Sequence, residues 1–421
     1  MTKDLELLNG VSKLFTESIL EKILANKWGE TDVEVTGWDF GEASAKGDSY
    51  LSEVDRVIIH GNVKGKFTQL KIVVKSLPSN LGRRETYRST VFFKNEIIFY
   101  TQVVPEFKKF LASKNQEHLF LVPDCLAHVL DGENDFIVLE DVSVYGFGPA
   151  SRQSTLCLEE CQMILKAMAR FHGVSFALKD QCEKLFYKIT EQLEETYFSE
   201  KWRDWYQRFQ ELIVSIAKDA ISVEYPGTHQ QKKFCDLHGK EFWDKSVKFC
   251  TRSKTPTSVV NQGDAWAPNF LIRVMPSGER ETLLLDFQLA RCASPITDLS
   301  FFMYSCTDQK MRDQNFDSLL QFYHDEISST ISTLGSNVDK LYPLEVFLKE
   351  VKEQFVHGLG FCLESIPLSM LEDSEAFDLD IIKGDKPVNI ADVWTLKPIK
   401  EAVKRRRLAD ALVDAIDRGF L

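Results

Sequence analysis

The stretch from Val259 to Arg291, VVNQGDAWAPNFLIRVMPSGERETLLLDFQLAR, constrains this chain more than any other. Two short apolar runs, Phe270 to Val274 and Thr282 to Leu285, flank a Pro-Ser-Gly turn, so the stretch reads as a β-hairpin. Polar residues gather at both of its mouths. Asp264 and Asn269 stand five apart in the loop before the first strand, and Asp286 follows directly on the second. Turn formation and strand termination explain either feature alone. The three together, with Phe287-Gln288 behind them, ask for chemistry.

A phosphoryl group moving from ATP to a hydroxyl needs a carboxylate to orient and deprotonate the acceptor, and further oxygen ligands to hold Mg2+ against the phosphates. An aspartate, an asparagine five residues on and an aspartate after a hairpin supply that set from two adjacent loops. GDAWAPN followed by LLLDFQ resembles the catalytic loop and metal loop of the choline kinase and aminoglycoside phosphotransferase superfamily. The Asp-Phe-Gln form, and the Trp two residues after the first aspartate, resemble within it the ecdysteroid kinase-like (CHK kinase-like) family. The resemblance implies Asp264 as catalytic base, with Asn269 and Asp286 as Mg2+ ligands. The chain departs from the superfamily pattern at Gln262, where a histidine is usual.

The preceding half supplies the other expected parts. Val11, Phe15, Ile19 and Ile23 stand four apart, so residues 11 to 27 read as one amphipathic helix, and Thr31 to Trp38 alternates like a strand. Gly41 and Gly47, with small residues between them, precede a β-rich run from Tyr50 to Ile59 and could lie close over phosphates. An ordinary hairpin turn is the plainer reading. The Gly47 to Tyr50 segment also looks like the family's Gly-Asp-Asn-Tyr type loop, which places Gly47 and Ser49 against the nucleotide. Leu70 to Leu77 is an apolar strand with Lys75 in its interior, and such a lysine either snorkels or meets a buried anion. In the helical run from Val91 to Val104, Phe92, Glu96, Tyr100 and Val103 share a face, so Glu96 is the anion expected for Lys75. Leu119 to Val122 and Phe136 to Leu139 read as further strands. FIVLEDV resembles the family's hinge strand, which makes Glu140 and Val142 candidates for main-chain contact with adenine.

Helical patterns dominate after Pro149. Residues 156 to 178 form a long helix whose His172 reads as a hydrogen-bonded core residue and not as a ligand, because no cysteine or acid stands at metal spacing. Residues 185 to 221 are helical and rich in aromatics, including Tyr197, Trp202, Trp205 and Tyr206, which suit either core or an apolar acceptor pocket. Asp298 could cap the helix that starts beside it, and in the family an aspartate at this place supports the catalytic loop. Helices are expected over 312 to 334 and 344 to 364 and at the end of the chain. There Lys404 to Arg407 reads as a solvated helix turn.

Composition narrows the class further. With 51 basic and 63 acidic residues the net charge is -12, which argues against a general nucleic-acid or anionic-membrane partner. The opening MTKDLELLNG lacks the apolar core of a signal peptide, and no later run approaches the roughly 20 apolar residues that span a bilayer. Nine cysteines without a Cys-x-x-Cys pair fit reduced thiols, so a cytoplasmic protein with no protein partner in view is expected.

These readings converge on an α+β, bilobal, protein-kinase-like fold. The expected parts are a small β-rich N-lobe over 1–142, a hinge over 143–150 and a larger, mainly helical C-lobe over 151–421. The expected activity is ATP- and Mg2+-dependent phosphorylation of a hydroxyl on a small molecule. The resemblance implies an ecdysteroid or a hydroxylated xenobiotic, whereas the acidic chain would also suit choline. A catalytically silent nucleotide- or ligand-binding protein is the alternative that Gln262 motivates. A protein kinase is disfavoured, since nothing after Asp286 resembles an Ala-Pro-Glu segment.

Overall fold

The computed structural model describes residues 3–41, 51–151, 155–278, 280–372, 375, 377 and 379–421. It is an α+β protein with a sheet-forming N-terminal region and a helical C-terminal region. Helices α1 (Leu5–Val11) and α2 (Glu17–Trp28) come first, then β1 (Val33–Phe40), β2 (Glu53–Val63) and β3 (Lys66–Ser76). Helices α3 (Leu81–Tyr87), α4 (Ser89–Ile98) and α5 (Val104–Ala112) separate these from β4 (Cys125–Val129) and β5 (Phe136–Glu140). The five strands form one antiparallel sheet in the order β1-β2-β3-β5-β4.

Period-two alternation sorts β3 between two environments. Leu70, Ile72 and Val74 turn toward α1 and α2, where Leu8, Phe15, Leu20 and Leu24 cover the sheet. Lys75 therefore turns to the other face. Two expectations fail in this region. The helix expected over 11–27 starts only at Glu17, after a separate helix that ends at Val11, because the Ser12 hydroxyl donates to the Asn134 carbonyl at 2.9 Å and accepts from the Leu14 N–H at 3.3 Å, competing with helix continuation. Leu119 to Val122 is not a strand. Leu119 closes a single 3₁₀ turn, Pro123 follows with no N–H to give a ladder, and the strand forms later as β4.

One continuous helix carries Glu96. Between α4 and α5 it widens into a π-turn at Phe99–Val103, where the Val104 N–H reaches back to the Phe99 carbonyl. Pro105 supplies the cause: it has no N–H for the Thr101 carbonyl and its ring crowds that turn.

A 3₁₀ turn at Val142–Tyr145 and the two-residue β6 (Gly148–Pro149) lead into the helical region. It contains α6 (Leu158–Gln181), α7 (Glu183–Thr190), α8 (Arg203–Glu224), α9 (His229–Cys235) and α10 (Gly239–Cys250). The expected helix over 185–221 is interrupted between Glu191 and Ser199, where the Glu194 N–H goes to the Asn95 side chain and the Tyr197 and Phe198 N–H groups go to the Glu195 carboxylate. Then come β7 (Val259–Asn261), β8 (Phe270–Val274), β9 (Arg280–Leu284) and β10 (Arg291–Ala293). The chain closes with α11 (Ile296–Cys306), α12 (Gln309–Thr333), α13 (Val338–Leu341), α14 (Leu344–Gln354), α15 (Val356–Ser369), α16 (Ile390–Val393) and α17 (Ala402–Asp417). The predicted hairpin is β8–β9, with Phe270 opposite Leu284.

The run Lys404 to Arg407 is not a uniformly solvated turn. Arg405 and Arg406 both grip Glu224, at 2.8 and 2.7 Å, and Arg407 donates to the Ser305 carbonyl at 2.6 Å from a site whose burial lowers its pKa. All nine cysteines are free thiols. No helix among the described residues is long and apolar enough to cross a membrane.

Close packing of α15 on α11 gives the first prediction. A Cβ at Gly358 would lie 2.0 Å from the Ser300 carbonyl carbon, whereas one at Gly148 meets nothing within 4 Å. Urea unfolding should show Gly358→Ala losing on the order of 3 kcal/mol or more, and Gly148→Ala within about 0.5 kcal/mol of the parent. Equal stabilities would contradict this packing.

Candidate active site

The interior lysine meets its anion. Lys75 Nζ lies 2.8 and 3.0 Å from the two carboxylate oxygens of Glu96, which is fully buried on α4, and 3.3 Å from Asp286 at the end of the hairpin. Burial lowers the Lys75 pKa, but the carboxylates of Asp286 and Glu96 outweigh it and hold the ammonium above its ordinary value. Gln288 adds an amide N–H to Glu96 at 3.4 Å. Asp286 sits at φ 56, a left-handed conformation that a non-glycine residue adopts only when its surroundings impose it.

Asp264 and Asn269 come together across the hairpin's other mouth. The Leu285 N–H donates to the Asn269 carbonyl at 2.9 Å, extending the β8–β9 register by one residue and bringing Asn269 beside Asp286 in the chain path. The Asn269 amide donates to the Asp264 carboxylate at 2.9 Å and to the Asp264 carbonyl at 3.0 Å. Burial, then the neighbouring Asp286 charge, push the Asp264 carboxyl up to about 8 against that hydrogen bond.

The loop is braced from below by Asp298. Its carboxylate accepts the Gln262 N–H at 2.8 Å, the Gly263 N–H at 2.9 Å and the His172 ring at 3.1 Å. The helix α11 starts at Ile296 with Pro295 before it, so Asp298 is not the cap that its position suggested. His172 is fully buried between Asp298 and the Tyr323 hydroxyl at 2.6 Å, in keeping with the core reading. Gly263 has φ +86, and a Cβ there would fall 1.9 Å from the Leu289 carbonyl oxygen, so only glycine passes. Gln262, in the place where a histidine was expected, donates its amide to the Leu285 carbonyl at 2.5 Å and so ties the first loop to the end of β9.

The nucleotide-facing expectations divide. Gly47 and Ser49 lie outside the described residues. Glu140 has its N–H engaged by the Asp124 carbonyl at 2.9 Å and its carboxylate by Lys27 and the Tyr145 hydroxyl, each at 2.6 Å. Val142, at the start of the 3₁₀ turn that follows, is buried. Arg56 holds the adjoining Asp141 at 3.1 Å, so two cations from α2 and β2 fix this connection.

Sequence reasoning missed a second tier of residues. Arg291, fully buried, lies 2.8 Å from Glu195, donates to Cys250 Sγ at 3.1 Å and reaches the Gly263 carbonyl at 3.5 Å. Glu195 in turn accepts the N–H groups of Tyr197 and Phe198, at 2.9 and 2.6 Å. Glu364 on α15 accepts the hydroxyls of Tyr197 and Tyr206, at 2.8 and 2.7 Å, and burial nevertheless pushes its carboxyl up to about 7. Of the aromatics expected in core or pocket, Tyr197 and Tyr206 are buried whereas Trp202 and Trp205 are half-exposed. No spacing rule pairs Glu364 with Tyr197, 167 residues away.

The donor set suits a hard divalent cation. Asn269 turns its amide nitrogen to Asp264, which leaves its oxygen free, and Asp286 keeps its carboxylate partly open at 29% side-chain exposure. One carboxylate and one amide oxygen beside phosphate oxygens and water is what Mg2+ takes, while among the described residues no group of three His, Cys, Asp or Glu could hold a softer metal.

The profile of the Ecdysteroid kinase-like family matches residues 46–336. No curated protein matches the chain. Among solved structures, a Plasmodium vivax ethanolamine kinase is 11% identical, with 99% of this chain and 94% of that chain covered at a TM-score of 0.42. The GDP complex of aminoglycoside 2'-phosphotransferase-IIIa is 11% identical over 95% of this chain and 99% of that one, at a TM-score of 0.41. Choline kinase LicA from Streptococcus pneumoniae is 14% identical over 83% and 98%, at a TM-score of 0.33. Likenesses this distant carry no argument about chemistry.

Glu364 gives a pH prediction. Its folded pKa of about 7 exceeds the ordinary 4.5, so the native state keeps a proton that the unfolded chain releases. Stability therefore falls as pH rises from 4.5 to about 7 and levels off above, by about 3 kcal/mol from this group. Urea unfolding at pH 5 and pH 8 should show that loss in the parent and a smaller one in Glu364→Gln. Parallel pH profiles would contradict it.

Proposed function

The chain belongs to the ecdysteroid kinase-like family, and from that premise we propose that it is an ATP- and Mg2+-dependent phosphotransferase whose acceptor is a hydroxyl group on a small molecule. The observation that carries the reading is the meeting, from three distant segments, of Lys75 with Glu96 and Asp286 beside the Asp264–Asn269 pair. An ammonium between two carboxylates is suited to phosphate oxygens, and an amide-oriented carboxylate is suited to an acceptor proton.

In this reading the nucleotide lies between the sheet and the helical region, with residues 143–150 as the hinge. The Glu140 carbonyl and the Val142 N–H face adenine. Lys75, held by Glu96, takes the α- and β-phosphate oxygens. Asn269 and Asp286 would hold Mg2+, which when bound would supply positive charge against the phosphates. Asp264 accepts the proton of the acceptor hydroxyl as its oxygen bonds to the γ-phosphorus. The bond from that phosphorus to the bridging oxygen breaks, and ADP leaves with the electron pair. The Asn269 amide keeps the Asp264 carboxylate aimed, and Asp298 keeps the loop beneath it in place. Family membership makes an ecdysteroid the first acceptor to test, with hydroxylated xenobiotics next.

The silent alternative finds less support. Gln262, which motivated it, is spent on bracing the loop through the Leu285 carbonyl, so the departure at this position keeps a supporting role.

ADP release should be followed with Mg2+-ATP and a panel of ecdysteroids, hydroxylated xenobiotics, choline, ethanolamine and kanamycin. With the best acceptor, Asp264→Asn should lower kcat by about 10² to 10⁴-fold with little change in the KM for ATP. For the parent, kcat/KM should fall toward acid pH, because burial holds the Asp264 carboxyl above the usual carboxylate range and the protonated carboxyl cannot act as base. Undiminished transfer by Asp264→Asn would remove that residue as base. ATP binding without transfer to any acceptor would establish the silent alternative.

A further inference from the structure

One helix holds the loop that carries Asp286 at three successive points. Asn95, buried on α4 immediately before Glu96, donates one amide hydrogen to the Gln288 carbonyl at 3.0 Å and the other to the Ala290 carbonyl at 2.8 Å. Its oxygen accepts the Glu194 N–H at 3.0 Å. The whole hydrogen-bonding capacity of the side chain facing these segments is thus spent on backbone. Glu96 takes the Gln288 side chain, as described. One turn further, Phe99 stacks on Phe287 with ring centres 3.7 Å apart and planes within 9°, while Tyr100 meets the same ring edge-on at 5.8 Å. Neighbouring side chains on a regular α-helix point about 100° apart. The π-turn that begins at Phe99 lets two consecutive aromatics grip one ring.

The loop so held is the one whose Asp286 is fixed in a left-handed conformation. Thr196 adds a second donor to the Gln288 carbonyl, at 3.1 Å, from the same non-helical segment as Glu194. Through that segment Glu195 and Arg291 continue the connection to the Gly263 carbonyl in the loop of Asp264.

We propose that Asn95 is a positioning residue for the Mg2+-nucleotide site, fastening α4 to the loop of Asp286 so that Glu96 and Asp286 reach Lys75 as one body. This rests on the function proposed above and assigns to this chain a residue that touches neither nucleotide nor metal. Lys75 keeps its own hydrogen bonds to Glu96, so what Asn95 chiefly fixes is the loop of Asp286, and its loss acts mainly on the metal-dependent part of nucleotide affinity. It leaves untouched the part contributed by main-chain contacts with the base.

Calorimetric titration of ADP and of a non-hydrolysable ATP analogue, each with Mg2+ and with chelator, tests this on the parent, Asn95→Ala and Thr196→Val. Asn95→Ala should raise the Mg2+ concentration for half-maximal enhancement of analogue binding by about tenfold and leave the affinity for Mg2+-free ADP within about twofold. Thr196→Val, which keeps the shape and removes one donor to the same carbonyl, should shift the Mg2+ midpoint in the same direction by about threefold. If Asn95→Ala melts below the assay temperature, Thr196→Val decides. Unchanged Mg2+ midpoints, or an equal loss of affinity with and without Mg2+, would overturn the proposal. A parent protein whose nucleotide affinity ignores Mg2+ would overturn the function beneath it instead.

Discussion

A single ammonium group held among carboxylates organises this molecule. Lys75 lies on the face of β3 opposite the N-terminal helices and reaches Glu96 at 2.8 Å and Asp286 at 3.3 Å. Neither anion is near it in sequence, so α4 and the β8–β9 hairpin must both be docked before the charge is balanced. Removing Lys75 would leave Glu96 buried without its counter-ion, a loss of about 3–5 kcal/mol by general experience. Burial, and after it the neighbouring Asp286 charge, push the Asp264 carboxyl up, so negative charge on the far side of the hairpin mouth is less fully compensated than that of Glu96.

The architecture around that pair separates duties. The sheet is sealed on one side by α1 and α2, and the end of β5 is fixed by Lys27 and Arg56 acting on Glu140 and Asp141. The helical region carries the loop of Asp264 on Asp298, whose carboxylate is consumed by three donors. Between them the non-helical segment from Glu194 to Phe198 spends its polar groups on α4, on the loop of Asp286 and on Arg291. It adds no functional group of its own but joins the parts that do.

What could be read in the sequence follows from the range of the forces involved. Lys75 announced itself because a charge in an apolar strand requires an anion, and Glu96 because helical periodicity put a carboxylate on an apolar face. The hairpin announced itself through its turn. Asn95, Glu195 and Arg291 did not, because their partners are backbone groups or side chains about 100 to 200 residues away, which no local pattern encodes. The failed strand at Leu119 to Val122 shows the converse error. Leu119, Phe120 and Val122 are buried, but Pro123 denies them a ladder, so a short apolar run is not by itself a paired strand. The run Lys404 to Arg407 misled for a related reason: a cluster of like charges reads as solvated until Glu224 and the Ser305 carbonyl are seen to receive it.

The π-turn after Glu96 has a bearing on how this chain tolerates change in length. Such a turn is a helix carrying one residue more than its hydrogen-bond ladder requires. Excision of that surplus residue would restore a regular spiral while swinging every side chain beyond it by about 100° about the axis. Pro105 and the Phe287 contacts would then be out of phase with Glu96. Between Phe99 and Val103 the count of residues is therefore itself part of the geometry, and a deletion there would not leave the packing beyond it unchanged.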